Sequence, residues 1–153
     1  MAVLSRLVAQ GERFDLVAGA SSGSLTGATY VSGQAEHGPD MWRQMAGTPV
    51  VSRRYLRREK SVFGMTVVVE EALARFLPED KLHGTNPELL VATTRARRFF
   101  MGKPDALVVH SNQTRRDMHR ILLASCFIPI IYTRPPVIDG EVHIDGGAAD
   151  NTL

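Results

Sequence analysis

The sequence predicts a single α/β domain. Two observations carry that expectation. Short apolar runs bounded by glycine or turn residues alternate with segments whose apolar residues recur at helical spacing. The length, 153 residues with 44% hydrophobic and 22% charged, suits one domain built around one sizeable core, spanning residues 1–153.

Each element has a local reason. Val3, Leu4, Leu7 and Val8 follow helical spacing, and Gly11 supplies a stop. Phe14 to Ala18 is a short apolar run ending at Gly19, which predicts a buried strand. From Ser24, the residues Leu25, Ala28, Thr29 and Val31 predict a helix. Residues 33–40 are polar and punctuated by glycine and proline, so they read as a loop before a short helix over 41–45. Residues 61–77 read as one amphipathic helix, with Val62, Met65, Val69, Leu73 and Phe76 near one face and Pro78 as terminator. Strands are expected over 89–93 and 106–109, and a helix through Met118, Ile121, Leu122 and Ser125 that stops before Pro129. Residues 136–145 alternate around Asp139-Gly140, which predicts a hairpin.

Composition bounds the function. Eighteen basic and sixteen acidic residues give a net charge of +2, so no strong field calls for a nucleic-acid partner. One cysteine, Cys126, excludes an internal disulfide framework and a Cys-rich zinc site; its apolar neighbours suggest a buried structural thiol. No apolar stretch reaches the length of a membrane span, and the start of the chain lacks the layout of a signal peptide. A cytoplasmic or membrane-peripheral location is therefore expected. The Arg-rich, Lys-poor usage suggests a bacterial source of high GC content.

The most informative stretch is Gly19-Ala20-Ser21-Ser22-Gly23, a G-x-S-x-G pattern. The bare pattern arises easily by chance. A strand leading in and a helix leading out are what a nucleophile elbow needs. Such a turn strains the serine and presents its hydroxyl at a helix N-terminus, where backbone N–H groups favour developing negative charge. In this reading Gly19 and Gly23 are both glycine to avoid collision across the turn. The alternative is a Gly/Ser turn whose serine caps the following helix.

A serine nucleophile needs a base. Asp145 ends an apolar strand and precedes Gly146 and Gly147, which let the chain turn and leave the carboxylate accessible. An ordinary Asp-Gly turn is the alternative. Among the five histidines, none follows Asp145, the chain order an α/β-hydrolase triad requires. A Ser21–His119–Asp105 set has no motif behind it. His143 shares the strand face of Asp145 if the strand is regular, where it would tune the site; the alternative is a hairpin surface position.

Three blocks together resemble the patatin-like phospholipase family: Ala18-Gly19-Ala20-Ser21-Ser22-Gly23-Ser24-Leu25, Ser125-Cys126-Phe127-Ile128-Pro129, and Asp139-Gly140-x-x-His143-Ile144-Asp145-Gly146-Gly147-x-x-Asp150-Asn151. The resemblance implies a three-layer α/β/α sandwich with a central, mostly parallel sheet. It implies a lipid acyl hydrolase, of phospholipase A or esterase type, working through a Ser–Asp dyad and an acyl-enzyme. Ser21 matches the nucleophile, Asp145 the dyad aspartate, and Gly146 and Gly147 the dyad-loop glycines. The substrate would be a lipid or ester, with no metal and no organic cofactor. The family's glycine-rich oxyanion loop has no counterpart ahead of Gly19, and the sequence stops at Asn151-Thr152-Leu153 where the resemblance implies more, so the domain is expected to be incomplete at both ends, with the Ser22 backbone N–H as the remaining oxyanion donor. Two rival readings follow: a catalytically inactive relic that binds lipid or protein, and a histidine-triad esterase.

Three basic clusters complete the candidates: residues 52–60, then Arg95, Arg97 and Arg98, then Arg115, Arg116 and Arg120. They read as solvated surface or as contacts to an anionic membrane. No recognition module accompanies them, so nucleic acid is not expected. Met65, Val67, Val68 and Val69 read as core, or alternatively as an acyl-chain lining.

Overall fold

The computed structural model describes residues 2–85, 87–96 and 106–149. Their order is α1 (Ala2–Ala9), β1 (Leu16–Ala20), α2 (Ser22–Val31), α3 (Gly38–Gly47), a 3-10 turn (Arg53–Tyr55), α4 (Leu56–Glu59), α5 (Met65–Phe76), β2 (Glu88–Arg95), β3 (Leu107–Ser111), α6 (Met118–Ser125), β4 (Val137–Ile138) and β5 (Glu141–Asp145). The α/β class expected from the alternation is present. Arg97, Arg98, Asp105, Asp150 and Asn151 lie outside the described residues.

β2 organises the sheet. It pairs in parallel with β1 and antiparallel with β3 and β5, and β4 pairs antiparallel with β5. The expected mostly parallel sheet is therefore mixed among the described residues. The β4–β5 pair is antiparallel because its two-residue turn cannot carry a crossover. Asp139 and Gly140 form that turn at φ 51° and 81°, the left-handed pair that a tight hairpin demands.

The register places β1 and β5 end to end. Ala92 pairs with Ala20 and Val109, and the next residue, Thr93, pairs with Asp145 and Val108. Since β3 occupies one edge of β2 throughout, β1 and β5 share the other. The C-terminal end of β1 and the C-terminal end of β5 thus meet beside Ala92 and Thr93.

Helices α2 and α6 pack on the face carrying Val17, Leu89 and Val91. A methyl group on Gly27 of α2 would lie 2.8 Å from Val17 Cγ1 and 3.0 Å from Leu89 Cδ1, so glycine lets the helix sit close. α5 packs on α6 and α3 on α5, burying Met41, Val69, Leu73, Ile121 and Leu122. Each such side chain contributes about 1.5–3 kcal/mol by leaving water. The opposite face of β1, β2 and β3 presents Leu16 at 52% exposure and Val109 at 47%, with Ala18 also exposed. Of the expected three layers, the helical layer on this second face is not among the described residues.

Several boundaries differ from the sequence reading. The helix expected over 61–77 begins only at Met65. Gly64 breaks it, since a Cβ there would meet the Tyr55 ring at 2.2 Å, and Phe63 is held in a bridge with Val51. α3 starts at Gly38, inside the expected loop, because Pro39 occupies a first-turn position where its missing N–H costs nothing. α2 starts at Ser22, immediately after the elbow.

Candidate functional site

The elbow forms as its sequence implies. Ser21 sits between β1 and α2 with φ 51° and ψ −127°, a strained backbone conformation for a residue with a side chain. Its carbonyl opens the helix by accepting from the Ser24 and Leu25 N–H groups at 3.0 and 3.3 Å and from Ser24 Oγ at 2.6 Å. The Ser21 side chain makes no capping hydrogen bond. The capping-serine alternative therefore fails: the carbonyl starts the helix and the hydroxyl is left for other work.

The two elbow glycines differ. A Cβ on Gly19 would lie 2.6 Å from the Gly23 carbonyl carbon and 2.7 Å from the Ser24 nitrogen, which the backbone cannot accommodate. A Cβ on Gly23 would meet no described atom within 4 Å. The expectation that both must be glycine is corrected to Gly19 alone. The crowded space is beside the Gly19 Cα, and what fills it is Gly23 backbone, present whatever residue stands there.

Asp145 ends β5. Its Oδ1 accepts the Gly147 N–H at 2.8 Å, and its own N–H donates to the Phe127 carbonyl at 2.9 Å. Gly146 packs against β2, where a Cβ would lie 2.5 Å from the Ala92 oxygen. Glycine is obligatory there, and the sharp turn after Asp145 follows from it.

Ser21 and Asp145 line one open cavity of about 610 Å³, with Ala20, Ser22, Phe127, Pro129 and Ala148 among its walls. No hydrogen bond joins the two side chains among the described residues. No histidine lines this cavity. His119 borders a separate depression of about 350 Å³ with Glu70 and Arg134, and its Nε2 lies 2.6 Å from the Leu77 carbonyl. The proposed His119 triad is therefore not assembled, and its Asp105 is outside the described residues.

His143 is buried rather than on the hairpin surface. Thr93 Oγ1 lies 2.8 Å from His143 Nδ1 and 2.9 Å from His110 Nε2, forming a closed polar cluster beneath the Asp145 end of the sheet. Burial is the first cause lowering both histidines, taking His110 down to about 4, so both are neutral near pH 7. Neither His110 nor Thr93 stands out as a candidate in the sequence. Their alternation on β2 and β3 was the available signal.

Other candidates resolve as structure. Val67, Val68 and Val69 are core and do not line the Ser21 cavity. Cys126 is buried, and burial pushes its thiol up to about 12, which makes it inert. Part of the basic run is tied down: Arg58 pairs with Glu70 at 3.0 Å, and the buried Glu59 pairs with Arg134 at 3.2 Å. Arg95 pairs with Glu141 at 2.7 Å, and Arg115 with Asp117 and Asp139 at 2.9 and 2.7 Å. Among the described residues no cluster of His, Cys, Asp and Glu has the grouping to hold a metal ion. No helix is long and apolar enough to cross a membrane among these residues.

No curated protein matches the sequence. The family model for patatin-like phospholipase matches residues 1–153, the whole chain. With the serine elbow and the Asp145-Gly146-Gly147 turn in place, the chain belongs to the patatin-like phospholipase family.

Proposed function

We propose that this protein is a serine acyl hydrolase of lipid esters, with Ser21 as nucleophile and Asp145 as its base. The family acts on lipids as acyl hydrolases. The observation that carries the residue assignment is the β2 register. Ala92–Ala20 and Thr93–Asp145 are successive pairs on one edge of β2, so the strand ends bearing Ser21 and Asp145 converge on one cavity.

The chemistry follows. Ser21 Oγ attacks the ester carbonyl carbon while its proton passes to the Asp145 carboxylate. The tetrahedral oxyanion collapses, the carbonyl reforms, and the alcohol leaves with that proton. Water then attacks the acyl-enzyme and gives a proton to Asp145, which passes it to the departing Ser21 Oγ as the fatty acid is released. A carboxylate is a weak base, so much of the rate must come from oxyanion stabilisation. Ser22 begins α2, and its N–H at that positive helix end supports one oxyanion contact. The Gly147 N–H is already committed to Asp145. The apolar wall of Phe127, Ile128, Pro129 and Ile144 suits an acyl chain.

The test is hydrolysis of a chromogenic short-chain ester and of phosphatidylcholine in mixed micelles. Turnover by the wild-type chain that disappears in Ser21→Ala supports the proposal. Turnover that survives Ser21→Ala rejects it.

A further inference from the structure

Ser125 ends α6 and is fully buried. Its Oγ accepts the Ser21 N–H at 2.9 Å and donates to the Ala92 carbonyl at 2.7 Å. The hydroxyl therefore uses its single proton on β2 and a lone pair on the strained elbow. Ala92 is the β2 residue opposite Ala20, and its carbonyl is the group against which Gly146 packs. Two residues along the chain, the Phe127 carbonyl accepts the Asp145 N–H at 2.9 Å.

From this arrangement we infer that Ser125 is a positioning residue for the Ser21 nucleophile, and that residues 125–127 act as a clamp holding the backbones of Ser21 and Asp145 in one frame. The physical argument concerns strain. A residue at φ 51° and ψ −127° relaxes unless its surroundings over-determine it. Helix α2 fixes the carbonyl side of Ser21, and Gly19 leaves room before it. The N–H side is fixed by Ser125, 104 residues away in sequence. Without that hydroxyl, a buried carbonyl and the elbow N–H lose their partner together. The elbow would then be free to rotate its Oγ away from the Asp145 side of the cavity. Small misplacements of this kind carry large rate costs.

The inference rests on the reading of Ser21 as nucleophile, so its test has two readouts. The first is labelling by a fluorophosphonate, resolved into the maximal inactivation rate and the probe's half-saturating concentration. Ser125→Ala should lower the maximal rate by at least about tenfold and leave half-saturation within about twofold, because the cavity walls are unchanged. Ile121→Val, a core change one turn earlier on α6, should leave both constants as they are. The second readout is amide hydrogen exchange at Ser21. Protection in the wild type should fall at least about tenfold in Ser125→Ala, whether or not the serine is reactive. Should Ser125→Ala not fold, Ser125→Cys keeps a weak donor and acceptor and should give intermediate values in both measurements. Unchanged exchange at Ser21, or an unchanged maximal labelling rate in a labelled protein, overturns the clamp. A wild type that is protected at Ser21 yet never labelled counts against the nucleophile and leaves the clamp supported by exchange.

Discussion

Thr93 of β2 stands opposite Asp145 of β5, one residue beyond the pairing of Ala92 with Ala20. The same Thr93 hydroxyl joins His143 and His110 under the sheet. The strand that pairs with both β1 and β5 therefore also carries the Thr93 hydroxyl of the buried polar cluster.

That cluster predicts acid sensitivity. His110 is held down to about 4, mainly by burial and then by His143 and Arg115, with Asp117 and Asp139 opposing. The unfolded chain takes up this proton near the ordinary value of 6.5, and the folded chain only near 4. Stability is thus complete above about pH 6.5 and is lost as the pH falls towards 4. At ~1.4 kcal/mol per unit, the loss between pH 7 and pH 4.5 is on the order of 2–3 kcal/mol. Urea titrations at the two pH values measure it, and His110→Gln should flatten the dependence.

The elbow predicts an asymmetry between its glycines. Gly19→Ala forces a Cβ into the Gly23 backbone and should destabilise the protein by about 1–3 kcal/mol or more, with loss of fluorophosphonate labelling. Gly23→Ala projects into open space and should fold with the wild-type melting temperature within a few degrees. Thermal melts and labelling of the two variants side by side check this.

Ile130 predicts a stabilising change. It is a β-branched residue at φ 82° and is 81% exposed, so it bears left-handed strain while burying little. That conformation costs roughly 1–2 kcal/mol without glycine, and glycine returns part of the gain through its freer unfolded chain. Ile130→Gly should raise stability by up to about 1 kcal/mol in a denaturant titration.

Glu59 predicts a loss. Its carboxylate is buried, though α4 around it is basic, and it is held by Thr133 and by Arg134. Burial pushes the carboxyl up, but the Thr133 and Arg134 hydrogen bonds and the Arg58 charge outweigh that and hold it below its ordinary value. Arg134 is half exposed, so removing its partner costs less than in a sealed pair. Glu59→Ala should destabilise by about 1–3 kcal/mol, again by denaturant titration.

Much of this was legible in the chain. The elbow, the α6 stop before Pro129 and the Asp139-Gly140 hairpin rest on local chemistry, and each formed where its residues indicated. What was illegible depends on partners distant in sequence. The helix expected over 61–77 starts only after Gly64, which the Tyr55 ring keeps free of a side chain. Gly23 is spared because the crowding is at Gly19. Ser125 reads as a helix-end serine until Ser21 and Ala92 are brought to it by the fold. His143 looked like hairpin surface because its burial depends on β2 and β3.

The central claim is that Ser21 and Asp145 act as a pair without a histidine. Its most direct test is the rate of fluorophosphonate labelling in Asp145→Asn, with His119→Ala beside it and the modified residue located by mass spectrometry. The label should sit on Ser21, Asp145→Asn should slow labelling at least about 100-fold, within the range expected for a general base, and His119→Ala should leave it unchanged. A label on another residue, or a wild-type rate in Asp145→Asn, would contradict that claim.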